Sequence, residues 1–169
     1  MSMRDRIAQA LINAYHGSPE RGLKVLRTRQ GIETPNTTFH ASNPDVAETF
    51  TVPREYGEPV FYDHRGREIK PGHVYETQLT PRSLLEMPPR DAQRFIDDTA
   101  YQTGVMREAK QGGHDTVVAR DVLEGIGERY RGDIYAVTDD EVQKILRRYG
   151  MMGAVPMSAE AFVPQEAPQ

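Results

Sequence analysis

"TTFHASNPDVAETF", residues 37–50, is the stretch on which the reading of the whole chain turns. Its first half is short and β-prone, and its character changes at Asn43. An Asn able to cap, a Pro at the first helical position and an Asp in the first turn are what a helix start requires. The stretch predicts a strand running into a helix, with Phe39 on the strand and Phe50 at the helix end. Upstream, "AYHGSP" (residues 14–19) follows a strand expected near Leu11 to His16. "MRDRIAQALINAY" also reads as a short amphipathic helix with Ile7, Leu11 and Ile12 on one side. On its own, a His-Gly pair before Ser and Pro marks only a turn. "SPERGLKVL" predicts a helical turn burying Leu23, Val25 and Leu26, and "RTRQGIETPNTT" an exposed loop.

Downstream, "PVFYD" and "REI" flank the turn residues His64, Arg65 and Gly66, which predicts a hairpin, and the alternation in "HVYETQL" predicts a strand. "PRDAQRFIDDTAYQTGVMREAKQGG" reads as the longest helix, with a break expected at Gly104 and a stop at Gly112 and Gly113. "HDTVVARDV" and "GDIYAVTD" read as two strands, and "DDEVQKILRRYG" as a compact helix closed by Gly150. Strands interspersed with a few helices give an α+β class. Residues 1–150 are expected to form one domain, and residues 151–169 a Pro- and Met-containing tail that orders only if it docks.

Composition narrows the function classes. The 169 residues suit one ordinary domain, and 21 basic against 25 acidic side chains leave a net charge of −4 with no dominant Lys/Arg run. Nucleic acid is therefore not expected as a ligand. The absence of cysteine excludes disulfides, thiolate nucleophiles and Cys-ligated zinc. Apolar runs of only a few residues and an N-terminus without a secretory apolar stretch predict no membrane span and a cytoplasmic location. Walker, dinucleotide GxGxxG, EF-hand and HExxH motifs are all missing. His16, His40, His64, His73 and His114 are scattered without shared helix spacing, so they are expected as surface or loop residues, with no metal.

Three stretches taken in order carry a resemblance: "YHGS", then "FHASNPDVAETF", then "YRGDIYAVTDDEV". Together they are similar to the His, aromatic, acidic signature of the ADP-ribosyltransferase fold, the branch of poly(ADP-ribose) polymerase catalytic domains and rifampin ADP-ribosyltransferases. The matching positions are His16 with Gly17 and Ser18, Phe39 with Ala41 and Phe50, and Asp133 at the head of "DIYAV". Both aromatic positions are Phe where the family usually has Tyr, and the acid is Asp where Glu is commonest. The resemblance implies a split two-sheet α+β architecture with flanking helices, and NAD as the donor substrate.

The implied chemistry is transfer of ADP-ribose to an acceptor, protein or small molecule, with release of nicotinamide through an oxocarbenium-like state. His16 would hydrogen-bond a ribose hydroxyl, and the bare backbone of Gly17 would approach the nicotinamide carboxamide. Phe39 and Phe50 would face the cationic pyridinium. Asp133 would accept from the ribose 2′-hydroxyl and stabilise the developing charge. Arg27 and Arg29 precede a loop that in this fold often covers the dinucleotide, and read either as pyrophosphate contacts or as solvated surface cations. Two other readings remain open. One is a catalytically silent module of the same fold, as in a phage or mobile-element protein. The other is NAD hydrolysis, or 2′-phosphate transfer from RNA.

Overall fold

The computed structural model describes residues 11–28, 34–55, 58–150 and 165–166. Ten strands and three α-helices follow one another along them. Strands β1 (Ile12–Ser18), β2 (Thr38–Ala41), β5 (His73–Leu79), β6 (Leu84–Glu86), β7 (Thr116–Glu124), β8 (Tyr130–Val137), β9 (Gln143–Gly150) and β10 (Gln165–Glu166) form one sheet. Its order is β10-β9-β5-β1-β2-β8-β7-β6, and β3 (Arg54–Glu55) and β4 (Glu58–Pro59) pair separately. Every neighbouring pair in the large sheet is antiparallel except β6 with β7. The mixed α+β class is thus observed.

The two sheets expected from the resemblance are joined into one, and the join is narrow. Strand β1 meets β5 along its whole length, from Ile12 opposite Leu79 to Ser18 opposite His73, but meets β2 through the single pair Tyr15 and Ala41.

The central strands β7 and β8 are apolar on both faces because both are covered. On one face Val117, Ala119, Ile134 and Ala136 pack under helices α2 (Pro89–Asp97) and α3 (Thr99–Gln111), through Phe95, Met106 and Ala109. On the other, Val118, Tyr135 and Val137 pack with Ala14, Leu79 and Val142. Helix α1 (Pro44–Thr49) starts as expected: the Asn43 side chain accepts from the Asp45 amide at 2.9 Å, and Pro44 occupies the first turn.

Several expectations are corrected. The long helix breaks at Asp98, not at Gly104: Asp98 leaves helical backbone at φ −117°, ψ 99°, ends α2 and caps α3 by accepting from the Tyr101 amide. Only Asp140–Val142 of the predicted last helix is helical, as a 3-10 turn, and Gln143–Gly150 forms β9 instead. The outer edge of β5 presents a ladder of unpaired amides and carbonyls, and β9 satisfies it from His73 opposite Gly150 to Leu79 opposite Gln143. The segment after β1 forms no helical turn. Leu26 is buried but Val25 is 54% exposed, and the Tyr75 hydroxyl takes up the local backbone groups, accepting from Leu23 N–H and donating to Glu20 O. The loop read as exposed buries Thr34, Thr37 and Thr38. The hairpin around Gly66 forms, closed by the pair Tyr62 and Glu68 with Gly66 at φ +74°. The expected N-terminal helix through Ile7 falls outside the described residues.

Candidate functional site

A cavity of about 620 Å³ lies beside the narrow join of β1 and β2. That volume is in the range of small-molecule and cofactor sites. Of the side chains anticipated from sequence, His16, Gly17, Ser18, Arg27, Phe39 and Phe50 all line it. They come from the end of β1, the segment after it, β2 and the residue that ends α1, so the fold brings together positions up to 34 residues apart in sequence, from His16 to Phe50. Arg29 lies outside the described residues.

His16 donates from Nδ1 to the Phe39 carbonyl at 2.7 Å. A carbonyl only accepts, so the proton sits on Nδ1 and Nε2 of the neutral ring is an acceptor. Burial pushes the His16 pKa below its ordinary value against the opposing effect of that hydrogen bond, which favours the neutral ring. This is the state suited to accept from a sugar hydroxyl.

His40, expected on the surface or a loop, is instead 1% exposed and lines the same cavity. Its Nε2 donates to Gln143 Oε1 at 2.8 Å, leaving Nδ1 to accept from the Thr77 hydroxyl at 2.8 Å. Desolvation, then the proximity of His16, lower its pKa to about 3. The two imidazole rings stand 5.6 Å apart. Strand order puts β1 between β2 and β5, so His40 reaches across β1 to Thr77 and Gln143. Ala14, opposite Thr77, is the small residue that leaves room. The backbone ladder is thinnest here, and this side-chain bridge ties the two halves together. A His between Phe and Ala in mid-strand was the signal available in the sequence.

Gly17 has a different structural reason from the expected one. A Cβ there would lie 1.7 Å from Ala47 O and 3.2 Å from the Phe50 Cβ. The glycine lets α1 lie directly on β1, which in turn sets Phe50 on the cavity wall. Phe39 and Phe50 are partly buried, packing against the main core while lining the cavity. The Phe50 ring already holds a cation, with the Arg54 guanidinium 5.0 Å from its centroid.

Asp133 is not among the residues lining this cavity. Strand alternation places it on the face of Tyr135 and Ala14, and its carboxylate is engaged where β7 bulges. Ala119 pairs with Ile134 and Val122 with Gly132, so Arg120 and Asp121 together oppose Asp133. Asp133 Oδ1 accepts from the Asp121 amide at 2.9 Å, holding that residue at φ +55°, and Oδ2 meets Arg120 at 3.3 Å. The acid that does line the cavity from β7 is Glu124, for which the sequence offered no local signal.

Among the described residues no three His, Asp or Glu side chains come together as a metal site, and no helix is long and apolar enough to cross a membrane. No family model matches the chain, and no curated protein matches it.

Proposed function

We propose that the cavity binds NAD and that the protein transfers ADP-ribose from it to an acceptor, releasing nicotinamide. One observation carries the reading: six residues expected for NAD, from two separate sequence motifs and the segment after the first, line a single cavity of about 620 Å³. His16 would accept from a ribose hydroxyl through Nε2. Phe39 and Phe50 would offer aromatic faces to the pyridinium, a role consistent with the cation already over Phe50. Arg27 at the rim would meet the pyrophosphate, with Ser18 as a further polar contact. The split two-sheet architecture of ADP-ribosyltransferases belongs to this proposal, and the single-pair join of β1 and β2 is its nearest structural counterpart. NAD is the donor substrate, and the acceptor is a protein or small molecule.

A second reading is favoured by the engagement of Asp133 at the bulge. In it the domain binds the dinucleotide without turning it over, as a silent module. Incubating the protein with millimolar NAD and following free nicotinamide separates the two. Nicotinamide appearing in proportion to enzyme supports transfer or hydrolysis. A melting shift with NAD but no nicotinamide supports the silent module, and neither response overturns both.

A further inference from the structure

Two acids line the cavity, Glu20 and Glu124. Glu20 is exposed on the turn after β1, whereas Glu124 is half-buried at the last position of β7. Pairing fixes where Glu124 stands. It opposes Tyr130 and lies two residues beyond buried Val122, so alternation puts it on the helix-covered face of the sheet, with Phe50 and Ile134.

The loop that follows holds the acid in place. Gly125 turns the chain at φ +144°, and a Cβ there would lie 2.2 Å from the Glu128 carbonyl oxygen. Its amide donates to Glu124 Oε1 at 2.8 Å. The next amide, Ile126, donates to Thr49 Oγ1 at 2.9 Å, one residue before Phe50. The end of β7 is therefore fastened to the helix that carries the aromatic wall. The first contact orients the carboxylate itself and the second fixes the loop that carries it, a better-held acid than a free side chain at a rim.

We propose that Glu124 is the catalytic carboxylate of the cavity, an inference that rests on the transfer reading above, while Asp133 holds the β7 bulge. The bond between ribose C1′ and the pyridinium nitrogen breaks with its electron pair passing to the nitrogen, and nicotinamide leaves neutral. Positive charge gathers on C1′ and the ring oxygen, where a nearby carboxylate stabilises it. A lone pair of the acceptor O–H or N–H forms the new bond to C1′, and its proton passes to the Glu124 carboxylate.

The test compares nicotinamide release and the NAD-induced melting shift for wild type, Glu124→Gln, Glu124→Asp, Glu128→Gln and Asp133→Asn. Glu124→Gln should lower release by about a hundredfold while keeping the NAD shift, because Gln retains an acceptor for Gly125 but no charge. Glu128→Gln, an equal charge change on the same loop at an exposed position, should stay within about twofold. If Glu124→Gln melts below the assay temperature, Glu124→Asp decides: reduced release with a preserved NAD shift supports the assignment, and wild-type release overturns it. Wild-type release from Glu124→Gln overturns it too. So does Asp133→Asn if it abolishes release with melting temperature and NAD shift intact, since the working acid is then on β8. Absence of nicotinamide from the wild type overturns the transfer reading itself, and is seen before any variant is made.

Discussion

His40 and His16 stand side by side, yet one is a structural bridge and the other a free acceptor. Protonating His40 would put a second N–H against the Thr77 hydroxyl and a charge on a side chain that is only 1% exposed. Its folded pKa of about 3 lies below the ordinary 6.5, so between those values the unfolded chain binds the proton that the folded chain refuses. Stability is therefore fully present above about pH 6.5 and falls with pH below it, by at most about 1.4 kcal/mol per pH unit for one proton. His16 and His73, both also lowered mainly by desolvation, add in the same direction. Urea midpoints at pH 7.5 and pH 5 should show this fall in the wild type and a smaller one in His40→Gln. An equal fall in both would exclude His40 as a source. Gly17 gives a second residue-scale test. Gly17→Ala places a methyl 1.7 Å from a backbone carbonyl that cannot rotate away, so α1 must shift. It should cost about 3 kcal/mol, read by urea unfolding, and a cost near zero would mean the helix is not seated on β1.

At the scale of elements, Gly104 shows how a local signal misleads. It sits inside α3, takes no positive φ, and a Cβ on it meets nothing within 4 Å. Gly104→Ala should stabilise by about 0.5 to 1 kcal/mol, raising the melting temperature by a few degrees, and a drop instead would reveal a need for flexibility there. The sequence suggested a break at this glycine because glycine is the commonest local interrupter, whereas the chain turns at Asp98, whose carboxylate caps the second helix. Elements with short-range signals were legible: the strand at His73–Leu79, the strands at Thr116–Glu124 and Tyr130–Val137, and the capped helix after Asn43. Strand β9 was not, because "QKILRRYG" takes its extended form from the open edge of β5, some 70 residues earlier in the chain. The candidate site divides the same way. His16, Phe39 and Phe50 fall at strand and helix ends that local pattern exposes. Glu124 and the true setting of Asp133 depend on the β7 bulge, which only the pairing with β8 defines.

Across the whole molecule, the cavity lies where two halves of one sheet meet through a single residue pair, and residues of both strands line it. His40 bridges that join on one face, and α1, resting on Gly17, closes it on the other. A ligand seated there would touch β1, β2 and the end of α1 at once, and so would add contacts across the single-pair join of β1 and β2. Any such ligand binds the folded chain alone and stabilises it by mass action. At ten times its dissociation constant NAD would add about 1.4 kcal/mol. In a chain of this size that corresponds to a melting shift of roughly 3 to 6 °C. Phe50→Ala should lose most of the shift relative to its own ligand-free baseline, since it removes the aromatic wall beside Gly17. Arg54→Ala should enlarge it, because the guanidinium 5.0 Å from the Phe50 centroid competes with a cationic pyridinium for the same ring. Thermal melts with and without millimolar NAD for the three proteins measure all of this. A wild type that melts at the same temperature with and without NAD removes the dinucleotide from this cavity. A Phe50→Ala variant that keeps the full shift moves the ligand away from the aromatic wall.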